Sequence, residues 1–148
     1  MPTSREADVA ALRVQEFRSP QEEIVLAATA GHHVFVRMPT SGGKSLCFQV
    51  PALASSGTSI VISPLIGLME DQVQNLRSLG VSCMLYSSDL DDEERDLAAP
   101  TLATCKLLYT TPEQLIHRTS RLVQSLLRMH GMRQVQRVVL DEAHCVLA

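Results

Sequence analysis

Two short stretches carry residues whose types and spacing suit phosphate chemistry. At residues 38–45 the chain reads MPTSGGKS, and at residues 138–144 it reads VVLDEAH. A triphosphate packs several negative charges together, so a loop that holds it must offer backbone N–H groups with no side chains in the way. Gly42 and Gly43 meet that need, with Thr40 and Ser41 leading into them. Lys44 follows where an ammonium reaches the β- and γ-phosphates, and Ser45 offers a hydroxyl to magnesium as a helix begins. Met38 stands where the general phosphate-loop pattern has glycine, so the textual match is imperfect. The apolar run HVFVRM before the loop and the helical pattern after it supply the context that a bare GGKS lacks. In the second stretch Val138, Val139 and Leu140 read as a buried strand with Asp141 and Glu142 at its carboxyl end, where open α/β sheets bind ligands. Asp141 is placed to hold magnesium, directly or through water, and Glu142 to orient and deprotonate an attacking water.

These groups need a scaffold, and the rest of the chain describes one. Apolar runs of strand length alternate with amphipathic stretches, the pattern of an α/β fold with a mostly parallel sheet and helices on both faces. Strands are expected at 33–38, 59–63, 82–86, 106–110 and 136–141, and helices near 44–54, 65–79, 91–98 and 113–129, with a further helix or two ahead of the first strand. Residues 1–16 are read as an N-terminal helical segment and 17–148 as the lobe itself. Three helix starts pair a hydroxyl with proline, at Ser19–Pro20, Ser63–Pro64 and Thr111–Pro112, which suits a cap followed by the first helical position. Glu22 and Gln114 stand at capping-box distance from Ser19 and Thr111. Leu65, Leu68, Met69, Val73, Leu76 and Leu79 mark the buried side of the second helix, and Arg118, Arg121, Gln124 and Arg128 the polar side of the last.

Composition narrows the function classes. The chain has 148 residues, about one domain with room for a core. No stretch of about 18 apolar residues is present to span a membrane, and the opening MPTSREADVA lacks a signal-peptide core, so an intracellular location is expected, nuclear in a eukaryote and otherwise cytoplasmic. Cys47, Cys83, Cys105 and Cys145 form no CxxC pair, which argues for buried thiols over zinc or redox motifs. His32 and His33 are adjacent and would point to opposite faces of a strand, a poor arrangement for a shared metal. The net charge of −3 gives no global case for nucleic acid, but the charge is uneven. Asp89, Asp91, Asp92, Glu93, Glu94 and Asp96 cluster, whereas Arg118, Arg121, Arg128, Arg133 and Arg137 lie in a stretch without acids.

From Phe17 to Cys145 the chain resembles the first RecA-like lobe of superfamily 2 helicases, and within them the RecQ family. FRSPQEEIV is similar to that family's motif 0, MPTSGGKSLCFQVPAL to motif I, SPLIGLMEDQV to motif Ia, YTTPEQL to motif Ib and DEAHC to motif II. The resemblance implies an ATP-binding lobe of a 3′ to 5′ DNA helicase acting in repair and recombination, with ATP and Mg2+ as cofactors and single-stranded and duplex DNA as partners. It implies that Gln21 reads the adenine edge, that the loop from Thr40 to Ser45 binds phosphates, and that Asp141 and Ser45 hold the metal. Lys44, Asp141 and Glu142 would be catalytic, and His144 would couple the nucleotide site to DNA. The loop between Ser63 and Leu68, and Thr111 with its neighbours, would touch the phosphate backbone of a single strand; Arg121, in the arginine stretch, is a further candidate for DNA phosphates. Ser41 replaces a glycine common in the family, and Glu70 replaces a lysine, which puts a negative charge near the implied DNA path. The chain is expected to stop short of motif III and of the second lobe, leaving the lobe incomplete at its C-terminal end and weak in hydrolysis alone. Two other readings stand beside this one: a nucleotide-binding or interaction module without helicase activity, and a phosphate-loop ATPase unrelated to nucleic acids.

Overall fold

The computed structural model describes residues 9–10, 12, 16–39 and 43–144. The chain divides into two compact units, one ending at Ser55 and the other beginning at Ser56. Of the expected N-terminal helical segment only Val9 and Ala10 are seen in helical conformation among the described residues.

The first unit holds two helices. Helix α1 spans Gln21–Thr29 and opens with Glu22 and Glu23, whose charges complement the helix dipole. It closes with a Schellman arrangement, in which the Gly31 N–H donates to Ala28 and the His32 N–H to Ala27. Helix α2 spans Leu46–Ala54 and is buried on every side from Cys47 to Leu53, which is why it shows no polar stripe. It packs against α1. The stretch expected as the first strand, residues 33–38, is not one. It carries no ladder pairing among the described residues, and Phe35 is 86% exposed. Alternating apolar residues state a side-chain preference for a pleated surface, but a strand also requires a neighbour to complete its hydrogen bonds.

The second unit is built on four parallel strands in the order β2–β3–β1–β4: β1 at Thr58–Ile62, β2 at Cys83–Tyr86, β3 at Leu107–Thr110 and β4 at Val135–Leu140. Each lies within a residue or so of its expected place, but β4 is not the buried strand expected of Val138, Val139 and Leu140: among the described residues it stands at the sheet edge, paired to β1 alone, with Val138 and Leu140 exposed. Strands β1 and β3 are buried throughout, as central strands of a covered parallel sheet must be. Helix α3, Ile66–Ser78, covers one face, where the Tyr109 hydroxyl donates to Gln72 at 2.9 Å and the Arg77 Nε donates to the Cys83 carbonyl at 3.0 Å. Helices α4, Asp92–Leu102, and α5, Arg121–Gly131, cover the other, packing Ala98, Leu102, Leu122 and Met129 against Ile60, Ile62, Tyr86 and Leu108. The expected doubly covered α/β sheet is therefore present.

Capping differs from expectation. Pro20, not Ser19, occupies the N-cap of α1, and no side chain caps it. Ser63 accepts from the Leu65 N–H at 3.2 Å in a turn, so α3 begins only at Ile66. Thr111 precedes a short 3-10 helix, Pro112–Leu115, without a side-chain cap. The single helix expected at 113–129 is two pieces, because Ser120 caps a fresh start by accepting from the Val123 N–H at 3.1 Å. The full capping box belongs to Asp91 and Glu94, with both hydrogen bonds at 2.8 Å.

Gly57 has φ +86°, and a Cβ there would lie 2.7 Å from the Gln134 carbonyl oxygen. That same carbonyl receives the Thr58 N–H at 2.8 Å, the link that starts the β1–β4 edge. Gly57→Ala is therefore expected to lower unfolding free energy by about 2–4 kcal/mol, combining left-handed strain with a backbone clash. A urea midpoint unchanged from the parent would contradict this.

Cys105 lies beneath α4, 1% exposed, and burial, with the neighbouring Cys83 thiol, pushes its thiol up to about 12. The ordinary value is 9.0, so the folded state holds this proton more tightly than the unfolded chain does. Its stabilising contribution is complete below pH ~9 and fades as pH rises toward ~12, by up to about 1.4 kcal/mol per pH unit. The check is the urea midpoint between pH 8 and 10: the fall in stability should be shallower in Cys105→Val than in the parent.

Candidate nucleotide and strand-end site

In the first unit the glycine loop is tied to motif 0 by one side chain. Gln21 is 2% exposed, its Oε1 accepts from the Arg18 N–H at 2.7 Å, and its Nε2 donates to the Gly43 carbonyl at 3.0 Å. Gly43 has φ +72°, and a Cβ on it would run into the Gln21 amide. Glycine is required there for conformation and for space alike. Lys44 and Ser45 are half-buried at the entrance to α2, where Ser45 is the N-cap residue and its carbonyl receives the Gln49 N–H at 2.9 Å. Thr40, Ser41 and Gly42 lie outside the described residues. The structure thus brings together Gln21, Gly43, Lys44 and Ser45, with the amide of Gln21 engaged at both ends by protein.

In the second unit the sheet register gathers the other candidates. Ile62 pairs with Thr110 on one side and with Leu140 on the other, so the next residues, Ser63, Thr111 and Asp141, emerge at the same carboxyl edge. Tyr86 also pairs with Thr110, which adds Ser87 to this row. Sequence reading passed over Ser87; its signal was a hydroxyl directly after an apolar run, the feature shared with Ser63 and Thr111. Ser63, Ser87 and Thr111 are all buried, 1%, 4% and 3% exposed. The Ser63 and Ser87 hydroxyls shape the turns that follow, accepting from the Leu65 N–H at 3.2 Å and the Asp89 N–H at 3.3 Å.

Asp141 is 8% exposed, and its N–H donates to the Ile62 carbonyl at 2.9 Å, carrying the ladder one residue past β4. Its Oδ1 accepts from the Glu142 N–H at 3.1 Å. Glu142 has φ +54°, a left-handed conformation that costs a non-glycine residue on the order of 1–2 kcal/mol. That turn aims its carboxylate toward His144, whose Nε2 lies 3.5 Å from Oε2. The imidazole is mostly exposed and the carboxylate mostly covered. Asp141, Glu142 and His144 therefore form one connected turn.

The arginine stretch is not one surface. Arg121 pairs with Asp96 at 2.6 Å, so the acids that are remote in sequence lie beside it in space. Arg133 closes the end of α5 at φ +58°, and Arg137 sits on β4, where burial pulls its guanidinium below the ordinary value. Arg118 lies in the turn before α5 and accepts from Gln124 through its carbonyl at 2.6 Å.

A parallel sheet with helices on both faces, and an acid pair at a strand's carboxyl edge, define the RecA-like class of α/β lobe. The chain belongs to the DEAD/DEAH box helicase family, whose model matches residues 18–148. It is 43% identical over 133 residues to the ATP-dependent DNA helicase RecQ of Synechocystis sp., covering 88% of this chain and 27% of that protein. It is 39% identical over 135 residues to the RecQ-like DNA helicase blm-1 of Caenorhabditis elegans, covering 88% of this chain and 14% of that protein. The chain thus spans between a seventh and about a quarter of these relatives' length. Among solved structures, the DUF1998 helicase MrfA, crystallised with DNA and AMPPNP, shares the fold with TM-score 0.68 at 20% identity, over 98% of this chain and 22% of that one. Among the described residues no helix is long and apolar enough to cross a membrane.

Proposed function

We propose that this chain is the ATP-binding lobe of a RecQ-type, ATP-dependent DNA helicase that unwinds duplexes in the 3′ to 5′ direction during repair and recombination. Such a protein would act in the nucleus of a eukaryote or the cytoplasm of a prokaryote. The observation that carries the reading is the Asp141–Glu142–His144 turn at the carboxyl edge of β4, within a chain of this family.

In this reading the loop from Thr40 to Gly43 wraps the phosphates and Lys44 neutralises the β- and γ-oxygens. Gln21 meets the adenine edge after exchanging one of its present hydrogen bonds, since an amide both donates and accepts. Ser45 and Asp141 hold Mg2+. The donor set, one hydroxyl and one carboxylate, suits that ion, since Mg2+ takes one or two protein oxygens and fills its shell with phosphates and water. When bound, the ion neutralises charge on the phosphoryl oxygens. Glu142 accepts the proton of the attacking water, and His144, in contact with that carboxylate, reports its state toward the DNA-facing edge. Ser63 and Thr111, at the carboxyl ends of β1 and β3, and Arg121, once released from Asp96, meet backbone phosphates of single-stranded or duplex DNA. Unwinding needs a second RecA-like lobe, which supplies an arginine worth roughly 10³–10⁵ in rate.

The test is direct. The chain should bind a fluorescent ATP analogue in a Mg2+-dependent manner, and Asp141→Asn should remove most of the Mg2+ dependence while leaving metal-free binding in place. Binding indifferent to Mg2+ in the parent chain would overturn the reading.

A further inference from the structure

Beside the carboxyl end of β2, helices α4 and α5 enclose a cleft of about 320 Å³ whose lining includes Arg95 from α4, and Arg121 and Arg128 from α5. We propose that this cleft binds a single phosphoryl group carried by a small ligand. The proposal is independent of the nucleotide reading.

Three guanidinium groups share the cleft, but only one is matched by a carboxylate. Arg121 is held by Asp96 at 2.6 Å on the rim. The Nε of Arg95 is buried and has no hydrogen-bond partner, and its Nη2 reaches the Ser88 carbonyl only at 3.5 Å. Arg128 donates to the neutral Ser125 hydroxyl at 3.3 Å. Among the described residues neither Arg95 nor Arg128 has a carboxylate partner. Burying a charged donor without a partner costs free energy, and a ligand that supplies acceptor oxygens recovers it. A guanidinium fork matches phosphate oxygens, and a phosphoryl group's charge of about −2 answers two unmatched arginines.

The rim selects the size of the ligand. Asp96 lines the opening and Asp92, whose carbonyl accepts from Arg121 at 3.4 Å, is exposed beside it, so a polyanionic strand laid along α4 meets repulsion that one compact phosphate in the cleft avoids. The cleft wall also includes Tyr86 and Leu122, an apolar surface against which the body of a phosphomonoester can lie.

The experiment uses the whole chain with Lys44→Ala, which removes the loop lysine as a competing phosphate ligand. The arginine Nε–H resonances are followed by 15N NMR during titration with inorganic phosphate and, separately, with adenosine monophosphate, at constant ionic strength set by chloride. The expected result is a saturable shift of the Arg95 Nε–H, with affinity lowered about tenfold in Arg128→Gln. Arg95→Gln removes that reporter, so its affinity is read at the Arg128 Nε–H and should fall likewise; because Arg128 is the more exposed of the two, its variant carries the test if the other does not fold. Equal affinity for the two probes identifies free phosphate as the ligand, and tighter monophosphate binding identifies a phosphomonoester. A shift that never saturates, or one unchanged in Arg128→Gln, would overturn the proposal. So would stoichiometric displacement of the monophosphate by a single-stranded oligonucleotide, which would assign the cleft to nucleic acid.

Discussion

Lys44→Ala is expected to lower affinity for Mg·ATP by about 10- to 100-fold, the scale of losing a charge-assisted hydrogen bond. The expectation comes from position as much as from charge. Lys44 stands at the entrance to α2, directly after Gly43, whose φ of +72° and contact with Gln21 fix the path of the chain at that point. Lys44 thereby leaves a backbone held at Gly43 before it and by α2 after it. The helix behind it draws its stability from the buried run Cys47–Leu53, so the substitution should leave the fold in place. Equilibrium titration with a fluorescent ATP analogue reads the affinity, and circular dichroism the fold. A folded variant that binds as tightly as the parent would remove Lys44 from the site.

The second large effect concerns the chemical step. In a protein that joins this lobe to a second one, Glu142→Gln should keep ATP binding and lose roughly 10²–10⁴-fold in turnover, the usual contribution of a positioned general base. Glutamine has the same length and can keep the left-handed turn, so the geometry after β4 survives while the proton acceptor is gone. The 3.5 Å approach of His144 to the Glu142 carboxylate argues that the group is held for a purpose, since the chain accepts φ +54° to put it there. Single-turnover phosphate release, measured alongside ATP affinity, separates the two effects. Turnover equal to the parent's would exclude Glu142 from the mechanism.

How much of this was legible in the sequence depends on whether the signal is local. Strands β1 and β3 announced themselves because central parallel strands are short apolar runs, and Thr58–Ile62 and Leu107–Thr110 are buried at every position. The run before the acid pair was read as buried, but β4 is an edge strand of the described sheet with Val138 58% and Leu140 51% exposed; the apolar run located the strand and the acids at its end, not its place in the sheet. Residues 33–38 carried the same pattern without the ladder, because partners are not written in the segment that needs them. The helix at 113–129 was read across Ser120, whose capping hydrogen bond to Val123 depends on a backbone bend that periodicity does not report. Arg121 was read as lying in an acid-free stretch; its partner Asp96 is 25 residues away and arrives only through the packing of α5 beside α4. Ser63 and Thr111 were read as helix caps, and the structure instead buries both at the sheet's carboxyl edge, aligned with Asp141 by strand register alone.

The most direct measurement of the central claim is ATP hydrolysis with and without single-stranded DNA, in a protein that carries this lobe together with a second one. The expected result is turnover that rises on adding the strand and disappears in Lys44→Ala under both conditions. Turnover that is the same with and without DNA, yet still dependent on Lys44, would contradict the helicase account and leave a nucleotide hydrolase with no nucleic-acid partner.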